Sequence, residues 1–232
     1  MTRRTFLRYS KGQLPDTKLI EQYLYQWPAE LLYAHAQTLP RLTAHDLFAN
    51  ERALELEIGC GSADFLCSLA ASRPATNFVG VDISGLALYK AIAAANELAL
   101  ANIKFINADF HYLLPLLCPN SLHAVYLHFP DPNRKAGFRR RRIFNKTFLD
   151  AMTLALTDEG HLSVMTDVHD FFLQMLYLVE QDQRFVKVHP QRYIVGFEPA
   201  VKSRFQRIWE GYGESVFRFE VRKNLALLLA QP

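Results

Sequence analysis

The chain has 232 residues, half of them hydrophobic and 21% charged, with 17 Phe and 10 Tyr, enough for a full core and too apolar for general disorder. No apolar run approaches the ~18 residues of a membrane span, and the basic start lacks the apolar segment of a secretory leader, so a soluble cytoplasmic protein is expected. The formal net charge is only +3, yet residues 134–146 carry seven basic residues and no acid, residues 1–11 carry four more, and the remainder holds 15 basic against 23 acidic residues. An acidic body with concentrated basic segments points to a local anionic partner rather than to diffuse adhesion. Cys60, Cys67 and Cys118 form no CxxC pair, and the eight histidines show no ligand spacing, so neither a disulfide framework nor a metal is indicated.

In chain order, residues 1–17 read as a basic arm, and residues 18–50 alternate helical apolar spacing with Pro28 and Pro40. Residues 1–50 are therefore expected to form an arm with short capping helices, and residues 51–232 the main domain. From Ala53 a regular alternation begins. Strands are predicted over Leu54–Ile58, Phe78–Val81, Ile103–Asn107, Leu122–Phe129 and His161–Met165. Helices are predicted over Ala63–Ser72, Leu86–Leu100, Phe144–Leu156 and Phe171–Gln181, with a short piece near Tyr112–Leu116. Such repetition implies an α/β fold with a mostly parallel sheet covered on both faces. Val216–Val221 alternates with period two and is expected to close the sheet as a late antiparallel strand. Residues 186–213 read as irregular, rich in charge and aromatics.

Glu57-Ile-Gly59-Cys-Gly61-Ser-Ala63 stands where the first predicted strand turns into the first helix. Gly59 and Gly61 permit a tight turn and close approach of backbone to a ligand. The spacing is neither GxGxxG nor a Walker A loop. A carboxylate at Glu57 suits a cationic amino group and repels a pyrophosphate, which favours a sulfonium amino-acid nucleoside over NAD. Asp82 ends the second strand, where an acid can accept two ribose hydroxyls, and Asp109 follows the third, within reach of an adenine amino group. Singly, each acid reads equally well as a helix cap or a turn residue. Together they point to S-adenosylmethionine.

After the fourth strand comes His128-Phe-Pro130-Asp131-Pro132-Asn133-Arg134-Lys135. Proline on both sides of Asp131 stiffens the loop, and Lys135 with Arg139–Arg142 surrounds it with cations suited to nucleic acid phosphates. The mixture of Lys202, Arg204, Phe205, Arg207 and Trp209 reads either as a stacking surface for unpaired bases or as rings packed on the core.

Taken together, GxG after Glu57, the Phe129-Pro130-Asp131-Pro132 loop with Lys135 and Arg141-Arg142, and Thr166-Asp167 resemble the bacterial tRNA (guanine-N7)-methyltransferase family. The resemblance runs from about Glu55 to the C-terminus. It implies a class I methyltransferase (Rossmann-like) fold, S-adenosylmethionine as donor, and a guanosine of the tRNA variable loop as acceptor. It carries Glu57, Gly59, Gly61, Asp82 and Asp109 to cofactor contacts and Asp131 to the catalytic acid. Lys135, Arg141, Arg142, Asp167 and Ser203-Arg204-Phe205-Gln206 become substrate contacts on the same ground. The sequence departs from the family at Asn133, where Trp is usual, at Gln206, where Glu is usual, and at Ala63, where a third glycine is common. The competing readings are a class I methyltransferase acting on another RNA, a small molecule or a protein, and a non-catalytic RNA-binding module. A monomer or a homodimer is compatible with the sequence.

Overall fold

The computed structural model describes residues 14–132, 142–196, 202 and 204–228. The first helix, α1 (Thr17–Tyr23), starts at Asp16, whose carboxylate accepts the Lys18 N–H at 2.8 Å. It leads into the short strand β1 (Leu24–Gln26) and two short helices, α2 (Ala29–His35) and α3 (Ala44–Phe48). The regular alternation follows: β2 (Leu54–Ile58), α4 (Asp64–Ser72), β3 (Asn77–Asp82), α5 (Gly85–Glu97) and β4 (Ile103–Asn107). A 3-10 segment (Phe110–Leu116) precedes β5 (Leu122–His128), α6 (Lys146–Ala155), β6 (Leu156–Thr166) and α7 (His169–Glu180). The last elements are β7 (Phe185–Lys187), β8 (Ile194–Val195), α8 (Arg204–Gly211), β9 (Phe217–Lys223) and α9 (Leu225–Leu228).

Among the described residues these strands form one nine-stranded sheet in the order β1-β4-β3-β2-β5-β6-β9-β7, with β8 also paired to β9. Strands β1 to β6 pair in parallel, while β9 runs antiparallel to β6, β7 and β8. The late antiparallel strand expected from the sequence is therefore present, one residue later at its start. Three features differ from expectation. Strand β1 joins the sheet beside β4, with Leu24 opposite Phe105 and Gln26 opposite Asn107. Strand β6 begins at Leu156, five residues before the predicted start, and the β5–β6 register shifts between Leu122 and Ala124. The segment read as irregular carries β7, β8 and α8.

The core lies on both faces of the sheet. One face presents Leu54, Leu56, Val79, Val125, Leu127 and Val164 to Phe148 and Met152 of α6 and to Phe172 and Met175 of α7. The other presents Phe78, Ile103 and Phe105 to Leu66 of α4 and to Leu88, Ala91 and Ile92 of α5. Each such fully buried Val, Leu, Ile, Phe or Met side chain contributes about 1.5–3 kcal/mol of transfer free energy. Strand β2 (LELEI) is buried at all five positions, so its two glutamates are buried with it. Glu55 is satisfied there: Arg73 donates to both its oxygens at 2.7 and 2.8 Å, and the Tyr126 hydroxyl donates at 2.8 Å.

Candidate functional site

Strand β2 lies between β3 and β5, so the chain winds outward from it in both directions and a crevice opens at the strands' carboxyl ends. Acids stand at or just beyond the ends of five neighbouring parallel strands: Glu57, Asp82, Asp109, Asp131 and Asp167. The parallel topology gathers onto one edge residues separated by up to 110 positions.

Glu57 is only 4% exposed, and its Oε2 has no hydrogen-bond partner. Burial first, then the charges of Asp82 and Asp64, hold its carboxyl well above the usual range. Glu55, two residues earlier on the same face, shows what a satisfied carboxylate looks like in this strand. Burying an unpartnered carboxylate costs several kcal/mol or a proton. A cationic group in the crevice would supply both the missing partner and the missing charge. Asp64, in the first turn of α4, belongs to the same acidic set, although the sequence reading did not single it out; its position directly behind the glycine turn was the available signal.

Above Glu57 the turn is built from Gly59 (φ +78°) and Gly61 (φ +57°), both left-handed. A Cβ at Gly59 would meet nothing within 4 Å, so the turn leaves its outer side open to a ligand. Its backbone is tied to β3: Gly59 and Cys60 N–H donate to the Val81 carbonyl at 2.8 and 3.1 Å, and Gly61 N–H to Asp82 Oδ2 at 2.8 Å. Asp82 Oδ1 accepts the Ser84 N–H at 2.7 Å. Burial raises the Asp82 carboxyl, while the backbone N–H groups of Ser84, Gly61 and Ile83 act against that rise. Asp109 is exposed and caps the 3-10 segment; its Oδ1 accepts the His111 N–H at 3.0 Å and lies 2.9 Å from His111 Nδ1.

At the β5 end, Phe129 has a left-handed backbone (φ +52°), a conformation that costs a non-glycine residue about 1–2 kcal/mol. Its N–H donates to the Met165 carbonyl of β6 at 2.7 Å. Pro130 and Pro132 are buried and Asp131 between them is exposed. Lys135, Arg141 and Asn133 lie outside the described residues. Arg142 is half-buried and engaged with the fold: Nε donates to the Pro132 carbonyl at 2.7 Å, Nη1 donates to Gln174 Oε1, and the guanidinium lies 4.6 Å from the centroid of the Phe171 ring. Asp167 is half-buried after Thr166, whose hydroxyl accepts the Val168 N–H at the entrance to α7.

Beneath these loops a polar layer crosses β5, β6 and β9. His128 Nε2 lies 3.2 Å from Ser163 Oγ, which accepts from Arg218 Nε at 3.4 Å, and Arg218 in turn bonds Glu220. His128 packs between the rings of Phe65 and Tyr126, its Nδ1 is buried without a partner, and burial together with Arg218 pushes its pKa down to about 3. The imidazole is therefore neutral at physiological pH.

The C-terminal contact segment is placed only in part. Ser203 and the side chains of Arg204 and Phe205 lie outside the described residues. Gln206 is fully buried in α8 and donates to Glu210 at 2.8 Å. Arg207 is exposed, donates to the Lys202 carbonyl at 2.9 Å and comes within 3.9 Å of Asp64. That contact brings α8 against the start of α4, beside the glycine turn. Trp209 is half-buried, 6.4 Å from the Tyr212 ring.

This strand order, with one late antiparallel strand, superimposes on solved methyltransferases. The 16S rRNA methyltransferase KamB gives a TM-score of 0.58 at 12% identity, covering 80% of this chain and all of that one. TrmN from Thermus thermophilus gives 0.53 at 18% identity, covering 84% of this chain and 48% of that one. The fold is that of the class I methyltransferases. In sequence, residues 51–218 match the model of a family described as a putative methyltransferase. A tRNA (guanine-N(7)-)-methyltransferase of Rubrobacter xylanophilus is 48% identical over 221 residues, 95% of this chain and 99% of that relative. Another, from Chloroherpeton thalassium, is 35% identical over 92% of this chain and 95% of its own length. The chain belongs to the tRNA (guanine-N(7)-)-methyltransferase family.

Proposed function

We propose that this protein transfers the methyl group of S-adenosylmethionine to N7 of a guanosine in tRNA, within the variable loop, giving 7-methylguanosine. The observation that carries the choice of acceptor is the 48% identity to a tRNA (guanine-N(7)-)-methyltransferase across nearly the whole of both chains. S-adenosylmethionine supplies an electrophilic methyl on a sulfonium. Glu57, with its unpartnered buried oxygen, receives the donor's amino group. Asp82, bonded to the turn, receives the ribose hydroxyls, and Asp109, just beyond the next strand β4, receives the adenine end.

Guanine N7 carries an in-plane lone pair and no proton, so the transfer needs no obligatory base. It needs in-line placement within near-attack distance. Asp131 accepts the guanine N1–H and N2–H₂ edge in a forked geometry and favours the positive charge that moves onto the imidazole ring. Asp167, at the next strand end, is the second carboxylate facing the acceptor. Lys135 and Arg141 hold phosphates and fix the RNA without reading its sequence. Ser203, Arg204 and Phe205 supply the remaining acceptor contacts, while Gln206, fully buried and bonded to Glu210, supports α8 from within. Three free thiols suit a cytoplasmic setting, where tRNA is available.

Incubation with labelled S-adenosylmethionine and unmodified tRNA, followed by digestion to nucleosides, tests the proposal. Label in 7-methylguanosine is the expected result. Label in another nucleoside, in protein, or nowhere overturns it.

A further inference from the structure

Arg142 closes the run of cations behind the Pro-Asp-Pro loop, and by charge alone it belongs with its neighbours as a phosphate contact. Its surroundings say otherwise. Three uncharged groups hold its guanidinium: the Pro132 carbonyl, the Gln174 amide oxygen and the face of Phe171. Two directed N–H bonds and one stacked face are what a planar guanidinium can satisfy at once, and an ammonium cannot. The main chain of the same residue is also fixed, since its carbonyl accepts Asn145 Nδ2 at 3.1 Å and Asn145 Oδ1 caps α6 at the Phe148 N–H.

The effect falls on Asp131. On the amino side, the loop is anchored by the Phe129 N–H to Met165 of β6. On the carboxyl side, Pro132 is anchored by Arg142 to Gln174 and Phe171 of α7. Asp131 is thus suspended between two fixed points, Phe129 two residues before it and Pro132 directly after it. Because α7 begins two residues after Asp167, the same side chain ties together the elements that carry both acids.

We infer that Arg142 is a positioning residue for the methyl-transfer step, holding the Asp131 loop in register with α7, and that it is not a phosphate contact. The inference rests on the reading of Asp131 as the acid that orients guanine. Of the four arginines at 139–142, the last then serves the protein side of the interface and leaves RNA phosphates to the others.

Arg142→Lys keeps the charge and removes the fork and the stacked face, so it separates the two roles. The full chain is compared with Arg142→Lys, Arg142→Gln and Gln174→Leu for kcat and KM with tRNA, cofactor affinity by calorimetry, and tRNA affinity against salt. The expected result is a fall in kcat of about tenfold or more in Arg142→Lys and Arg142→Gln, since small misplacements are amplified at this step. A smaller fall in the same direction is expected for Gln174→Leu. Cofactor affinity and the slope of log affinity against log salt stay at wild-type values in all three. Should either Arg142 variant fail to bind cofactor, Gln174→Leu carries the test alone, because it removes one bond and no charge. Wild-type kcat in Arg142→Lys, together with a salt slope reduced by about one in Arg142→Gln, overturns the inference and makes Arg142 a phosphate contact. Wild-type protein that forms no 7-methylguanosine overturns the reaction assigned above instead.

Discussion

Glu55 and Glu57 occupy the same face of one strand, differ by two positions, and have opposite uses. Glu55 has three donors within 2.8 Å and holds the sheet together. Glu57 has an oxygen with no donor, and in the function proposed above it receives the donor's amino group. Glu57→Gln should therefore fold normally and bind S-adenosylmethionine at least tenfold more weakly, because a charge-assisted hydrogen bond of about 1.5–3 kcal/mol is lost. Calorimetric titration of the purified variant measures this, and an unchanged affinity would remove Glu57 from the site. Asp131→Asn should behave in the reverse sense. Cofactor affinity is retained while kcat falls by about 10²–10³-fold, the range for losing one group that acts on developing charge. Single-turnover methylation of tRNA distinguishes the two variants, and near wild-type turnover by Asp131→Asn would reject its role.

Among the elements, the glycine turn depends on β3 as much as on its own residues. A Cβ on Gly80 would lie 2.7 Å from Cys60 Sγ and 3.1 Å from Phe105 Cδ1, so Gly80→Ala must push the turn away from the strand that anchors it. The expected cost is about 1–3 kcal/mol of stability by denaturant melts. Cofactor affinity should weaken at the same time, because Gly61 loses its bond to Asp82. A destabilised variant with unchanged affinity would separate the turn from the site. The strands that frame this region were legible because each is an apolar-rich run with an acid within two residues of its carboxyl end: Leu54–Ile58 and Ile103–Asn107 are found with the predicted bounds, and Asn77–Asp82 differs by one residue at each end. Elements of two or three residues, such as β1 and β8, are too short to show a period, and they form by pairing with strands already in place. The first half of β6 was hidden because Asp158-Glu159-Gly160 reads as a turn. Five acids at strand ends were visible as a pattern. The engagement of Arg142 with the fold was not, since charge runs look uniform in sequence and its partners Phe171 and Gln174 lie about 30 residues further on.

For the molecule as a whole, the burial that builds the site also sets a pH dependence with two components of opposite sign. His128 has an ordinary pKa of 6.5 and about 3 in the folded chain. Below pH 6.5 the unfolded chain takes up a proton that the folded chain refuses, so the stability tied to this group is intact above 6.5 and is lost progressively as pH falls toward 3. Glu57 is the reverse case. Its folded carboxyl keeps a proton above the ordinary 4.5, so stability falls as pH rises from there through the raised value. Subtracting the melts of His128→Gln from those of the wild type should give a difference that climbs with pH below 6.5, with a limiting slope of about 1.4 kcal/mol per pH unit, and is flat above. The same subtraction for Glu57→Gln should decline with pH above 4.5. Because the donor's cationic amino group restores the charged carboxylate, cofactor binding in that window should release a proton and tighten as pH rises. Calorimetry in buffers of different ionisation enthalpy detects the released proton, and Glu57→Gln should abolish it. Difference curves that tilt the same way in both variants, or binding without proton release at Glu57, would break the link between the buried carboxylate and the ligand's charge.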